Sequence, residues 1–231
     1  MERYKVINGN VLKLIAVITM TLDHVGLMLF GNNTVLRCIG RIAFPLFGLM
    51  IAEGCFYTKN KLSYFLRVFI LGTFCQAIYL VADKSLYLGI LITFSFSILT
   101  IYAYQYAFEK EEIKPAGIVT FLAVLCLDAL VCVVFPKLFK TAGFEVDYGI
   151  FGVLFPLLAY MGRGKKFGIL YVAAGLLLLS ASIGGFQWFC LASLIFIALY
   201  SGKRGKGGYK YFFYVYYHLH LGVIYLISML M

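Results

Sequence analysis

Asp23 and His24 are adjacent in the first long apolar run of the chain, residues 11–30. Arg37, Arg41 and Glu53 follow in the second, residues 35–57. A carboxylate, an imidazole and two guanidinium groups are the parts of an acid–base centre. The imidazole takes and returns a proton near neutral pH, the carboxylate orients or stabilises a partner, and a guanidinium steadies developing negative charge. Each charge at mid-bilayer costs about 2.5–3.5 kcal/mol on insertion scales, so such groups are expected to face a bundle interior and to pair. Arg37 and Arg41, four residues apart, project from one helix face. Pro45, one turn on, is expected to kink that helix and free a carbonyl. Asp23 and His24 project about 100° apart, so Asp23 can pair with Arg41 and leave His24 for a reaction. The alternative is an ion-pair network that only fixes helix register.

Other polar groups are spread along the chain. Glu53 and Arg67 are placed to pair across a short helix–helix loop. Asp128 lies inside the fifth apolar run, and Asp147-Tyr148-Gly149 opens the sixth, where the Tyr148 hydroxyl is a second candidate donor to an oxyanion. His218 and His220 lie in the last run, about 200° apart on a helix, so only one of them faces a given point. Lys203, Arg204 and Lys206 punctuate a Gly-rich stretch, residues 202–208, without Walker spacing. With Lys59 and Arg67 they are candidates for the phosphates of a cytosolic cofactor. The plainer reading of the stretch is a positively charged cytoplasmic loop.

These groups must be positioned by membrane helices. The chain is 63% hydrophobic with mean hydropathy +0.93, well above the apolar share of globular domains. Nine segments fit spans of about 20 residues, some of them short: 11–30, 35–57, 62–82, 86–107, 115–136, 146–162, 167–182, 185–201 and 210–230. The 182–185 boundary is the weakest, since one broken element would replace two short spans there. On alternating loops, Lys and Arg divide 14 to 3, which predicts nine helices with a cytoplasmic N-terminus and an outer C-terminus. The expected fold is an all-α polytopic bundle forming a single domain, residues 1–231.

The net charge of +10 falls between apolar runs, so topology explains it and nucleic-acid binding is not expected. The six cysteines all lie within apolar runs and show no CxxC spacing, so neither a disulfide nor a metal site is expected. The first run carries Asp23 and His24 and lacks a small-residue cleavage pattern, so it reads as a retained helix rather than a signal peptide. No internal repeat points to an inverted-repeat transporter.

One string is more specific than composition. It runs Leu12-Lys13-Leu14-Ile15-Ala16, then Thr19-Met20-Thr21-Leu22-Asp23-His24-Val25-Gly26, then Gly40-Arg41-Ile42-Ala43-Phe44-Pro45 and Ala52-Glu53-Gly54. With Arg67, the Asp147–Gly152 block and the closing Tyr217-His218-Leu219-His220, it resembles the TraX family. Residues 80–145 match only as generic membrane helix.

The resemblance implies a bacterial inner-membrane acetyltransferase, related to wider transmembrane acyltransferases and associated with acetylating the N-terminal amine of a conjugative pilin. It implies acetyl-CoA as acyl donor, no metal, and a peptide or glycan acceptor. On the matching positions it implies Asp23, His24, Arg41, Glu53, Tyr148 and His220 as the polar site. His218 stands where the family pattern has Pro, which favours His220 over it. A monomer in the lipid bilayer is the default. Two other classes use the same charges: a proton- or solute-coupled transporter, and a structural assembly subunit.

Overall fold

The computed structural model describes residues 5–84, 86–109, 113–205 and 210–230, with the side chains of 79, 82, 83, 210–214 and 218 outside that description. The described residues are helical apart from turns and two isolated bridges, Ile7–Tyr200 and Leu88–Val146. In chain order the helices are α1 (Gly9–Met28), α2 (Thr34–Gly40), α3 (Ala43–Tyr57), α4 (Lys61–Asp83), α5 (Ile90–Phe108), α6 (Pro115–Ala129), α7 (Phe135–Leu138), α8 (Gly149–Gly162), α9 (Gly168–Ile183), α10 (Ser193–Ala198) and α11 (Lys210–Leu230). Five helical stretches among the described residues are long and apolar enough to cross a membrane: Gly9–Met28, Thr34–Tyr57, Lys61–Ile78, Ile90–Phe108 and Pro115–Leu138. Segments 149–162, 168–183, 185–198 and 215–230 are apolar but shorter.

The chain forms two compact units, residues 1–50 with 172–231, and residues 51–171. In the first, α1 packs on α2 and α11. Asn8 caps α1 by accepting from the Asn10 and Val11 N–H groups. The Lys203 and Arg204 carbonyls accept from the Gly9 and Asn10 N–H groups at 2.8 and 3.1 Å. That satisfies donors a helix N-terminus otherwise leaves open. The α1–α2 turn is closed by Asn33, whose side chain caps α2 and whose N–H reaches the Gly26 carbonyl at 2.8 Å. The two helices approach closely because Gly40 has no side chain: a Cβ there would collide with Asp23.

The expected kink appears as a break. Helix α2 ends at Gly40 and α3 begins at Ala43, with Pro45 in its first turn. Proline has no N–H to give and its ring crowds the carbonyl four residues back, at Arg41. The 182–185 boundary is a turn, with Gly184 and Gly185 both left-handed (φ +74° and +55°). Beyond it a 3₁₀ helix, Gly185–Ala192, runs into α10. Ser180 lies 3.3 Å from both the main-chain oxygen of Gln187 and Cys190 Sγ, so the chain doubles back there. Segments 168–183 and 185–198 are therefore two elements.

The second unit is organised on α5, which packs against α4, α6 and α8. Helix α6 passes through a π turn, Leu130–Val134, into α7, with Pro136 in α7's first turn. The wider turn absorbs the missing proline N–H.

Candidate active site

The first unit assembles a half-buried polar centre from three helices. Asp23, on α1, is 8% exposed, and its Oδ2 accepts from Arg37 Nη1 at 2.8 Å and from Arg41 Nη2 at 2.5 Å. The pairing of Asp23 with Arg41 expected from spacing is present, and Arg37, four residues earlier on the same face, completes a triad. Asp23 Oδ1 and both Arg Nε atoms make no hydrogen bond.

His24 does not bond to its neighbour Asp23. Its Nδ1 lies 3.1 Å from Nε2 of His220 on α11, with the ring centroids 5.0 Å apart. His220 Nδ1 lies 2.9 Å from the Tyr216 carbonyl. A carbonyl only accepts, so in the neutral pair His220 carries its proton on Nδ1 and offers a bare Nε2. His24 must then donate from Nδ1, which leaves the lone pair on its Nε2. The assignment follows from hydrogen-bond logic. Tyr216 stacks on the His220 ring with an interplanar angle of 4° and hydrogen-bonds to Thr21 at 2.8 Å. Thr21 and His24 thus face Tyr216 and His220 in two rungs between α1 and α11.

The other sequence-predicted residues lie elsewhere. Glu53 and Tyr148 belong to the second unit. Glu53 Oε1 accepts from Arg163 Nε at 2.9 Å, so the expected Glu53–Arg67 pair is replaced. Arg163 also donates to the Tyr57 hydroxyl at 2.7 Å and stacks 3.5 Å from the Phe56 ring centroid. Arg67 instead donates from Nε to the Ser63 carbonyl one turn back, while the Tyr64 side chain packs onto Gly54. A long side chain near a helix end finds its own backbone acceptor more cheaply than it crosses an occupied junction.

Tyr148 has φ +61°, an uncommon conformation for a bulky residue, at the start of α8. The turn is held by the Asp147 carbonyl, which accepts from Thr93 Oγ1 at 2.9 Å, and by Asp147 Oδ1, which accepts from the Tyr87 hydroxyl at 2.7 Å. Burial and the Asp147 carboxylate push the Tyr87 hydroxyl above its ordinary value, which keeps it the donor. Lys59 is exposed, as are Lys203 and Arg204, whose carbonyls cap α1. Lys206 and the His218 side chain lie outside the described residues. No group of three potential metal-binding side chains occurs among the described residues.

Sequence reasoning leaves Arg37 out of the polar site and gives no sign of Tyr216 or of Arg163 as site partners. Arg37 was visible as the other half of the i, i+4 pair. Nothing in the sequence links Arg163 to Glu53, 110 residues away.

Long apolar helices around a half-buried His–His pair and an Arg–Asp–Arg triad define an integral membrane protein with ionisable groups among its helices. Residues 8–228 match the family model described as TraX protein, and the chain belongs to that family. It is 27% identical to a probable fimbrial assembly protein FimC, serogroup H1, of Dichelobacter nodosus, over 92% of each chain. It is 45% identical to an uncharacterized protein of Rickettsia prowazekii (strain Madrid E) over 67 residues, 29% of this chain and 25% of that one. No solved structure matches the chain.

Proposed function

We propose that the protein is an acetyl-CoA-dependent acetyltransferase of the bacterial inner membrane, acting on an amine or hydroxyl of an exported or membrane-associated acceptor. The observation that carries this reading is the bare Nε2 of His24, defined by the His220–Tyr216 chain next to two arginines. Family membership supports acetyl transfer, and the Dichelobacter relative's name points to a fimbrial peptide as acceptor.

In this reading His24 Nε2 takes a proton from the acceptor as its nitrogen or oxygen attacks the thioester carbonyl. The tetrahedral oxyanion is steadied by Arg41. The C–S bond then breaks, and His24 returns the proton to the departing thiolate, giving free CoA and the acetylated acceptor. A free α-amine has a pKa of about 7.7–8.0, so a base effective near neutrality suffices.

His220 holds the tautomer of His24 and shares its charge. Asp23 holds the arginines. Tyr148 enters the reading as a second oxyanion donor on its family position alone, and Glu53 fixes Arg163. Lys59, Arg67, Lys203, Arg204 and Lys206 are the cations proposed for the donor's phosphates. The accompanying topology is a nine-span monomer with a cytoplasmic N-terminus and an outer C-terminus, working as one domain.

The test uses purified protein in nanodiscs with acetyl-labelled acetyl-CoA and either a peptide bearing a free N-terminal amine or a glycan acceptor. CoA release with label on one acceptor, absent from His24→Ala, is the expected result. Donor binding without transfer to either acceptor sinks the transferase reading. Solute counterflow in proteoliposomes without covalent product establishes the transporter instead.

A further inference from the structure

Two turns of the second unit, residues 57–61 between α3 and α4 and residues 162–168 between α8 and α9, are joined by one side chain. The second turn is drawn tight by glycine on glycine, since a Cβ on Gly162 or on Gly168 would collide with the main chain of the other. The Arg163 N–H donates to the Tyr160 carbonyl and the Gly168 N–H to the Lys165 carbonyl, both at 3.1 Å, which fixes the path of the turn. Arg163 therefore leaves α8 at a set place and reaches across to α3.

Its guanidinium is held in three ways. Nε donates to Glu53 Oε1 at 2.9 Å, Nη2 donates to the Tyr57 hydroxyl at 2.7 Å, and the group lies 3.5 Å from the Phe56 ring centroid. A guanidinium has five N–H donors, and these contacts use two of them. Both donors of Nη1 and the second of Nη2 have no protein partner among the described residues, and the side chain is 24% exposed. What remains is a fixed fork of donors open to solvent, a shape that takes two oxygens of one phosphate.

The charge around the fork has the matching sign. Lys59 follows Tyr57, Lys61 opens α4, and Lys165 and Lys166 follow Arg163; all four lysines are exposed. Three of the ammonium groups rest on rings, Lys61 on Tyr102 at 5.2 Å, Lys165 on Tyr171 at 4.6 Å and Lys166 on Phe167 at 5.4 Å from the centroid. A ring holds a cation without neutralising it. The one carboxylate of α3, Glu53, is committed to Arg163, and Glu109 just past α5 accepts from Tyr160. Lys59 and Lys61 also flank the positive end of the α4 dipole, with no acidic residue in its first turn to offset them. Cations gathered this way repel one another, and a bound anion relieves them.

The geometry points to Arg163 as the centre of a phosphate-binding site, with Lys59, Lys61, Lys165 and Lys166 supplying the field that draws the ligand in. The phosphate approaches from solvent, so no element has to move. Two sources share this chemistry: the nucleotide end of CoA, which rests on the acyl-transfer reading, and the headgroup of an anionic lipid, which does not.

The experiment measures both sources on wild type, Arg163→Lys and the double variant Lys165→Gln/Lys166→Gln. CoA binding is read by calorimetry in phosphatidylcholine nanodiscs, with adenosine as the phosphate-free control. Retention of phosphatidylglycerol over phosphatidylcholine is read by native mass spectrometry. Arg163→Lys keeps the charge and removes the fork, and is expected to lose about tenfold in CoA affinity or in preference for phosphatidylglycerol. The double variant is expected to lose less, and adenosine binding to stay unchanged. A loss confined to CoA assigns the phosphate to the donor, and one confined to phosphatidylglycerol assigns it to the lipid. Folding of Arg163→Lys is checked by its melting temperature. Should that variant fail to fold, the loss in the exposed lysine pair decides.

Unchanged CoA affinity and lipid preference in both variants overturn the site and leave Arg163 as a tie between α3 and the turn after α8. Wild type that binds CoA no better than adenosine and prefers neither lipid overturns it as well. Acetyl transfer by wild type, with CoA and lipid binding unaltered in the variants, sinks the site alone. CoA affinity lost in Arg163→Lys, without transfer by wild type, sinks the transferase reading alone.

Discussion

The two units bury polar groups in different ways. In residues 51–171, polar side chains tie one helix to another. Thr100 on α5 meets Asp128 on α6 at 2.7 Å, and Ser97 donates to the Val153 carbonyl of α8 at 2.8 Å. Tyr160 on α8 lies 2.8 Å from both Gln105 and Glu109 Oε1. In residues 1–50 and 172–231, groups of like kind are gathered together. Two arginines share one carboxylate oxygen, and two imidazoles face each other. One-to-one polar contacts between membrane helices act as glue worth about 0.6 kcal/mol on average. Unspent hydrogen bonds occur in both units, at Asp23 Oδ1 in the first and at Asp128 Oδ1 and Gln105 Oε1 in the second, so what sets the first unit apart is the gathering of like groups, and the proposed chemistry rests on that gathering.

The comparison can be broken in four ways. The largest expected effect is on rate: His24→Ala lowers acetyl transfer by about 10²–10⁴-fold with the helical circular dichroism unchanged, as loss of a general base does. Wild-type turnover in that variant removes the site from the first unit. Next, Asp23→Ala strands two half-buried guanidinium groups and costs up to about 3 kcal/mol, the lower end of the range for breaking a fully buried charge pair. Asp23→Asn, which keeps the shape, recovers part of it. Denaturant titration in detergent measures both, and a cost under about 1 kcal/mol for Asp23→Ala means the triad is not paired as described.

In the second unit Thr100→Val is expected to cost about 0.6 kcal/mol and at most about 1.7, with transfer activity intact. A large activity loss there erases the contrast between the units. The smallest effect concerns pH. Tyr87 is held above its ordinary value, so its contribution to stability is complete below about pH 10, where the unfolded tyrosine titrates, and is lost as pH rises toward the folded value. Tyr87→Phe should flatten the fall of stability above pH 10 relative to wild type, read as melting temperature against pH.

The sequence alone determined that the chain is helical and membrane-embedded, because a long apolar run in lipid must satisfy its own backbone. It also located the break before Pro45 and the pairing of Asp23 with an i, i+4 arginine face. Both are local: the first follows from a missing N–H, the second from helix periodicity. The string around Asp23 and His24 carried the family.

What only the tertiary structure decided are the long-range partners. Whether His24 meets Asp23 or His220 depends on how α11 is rotated against α1, since residues 196 positions apart carry no local signal of contact. Arg163 displaced Arg67 beside Glu53 for the same reason. Composition and spacing fix which groups must be buried and paired, and packing chooses the partners.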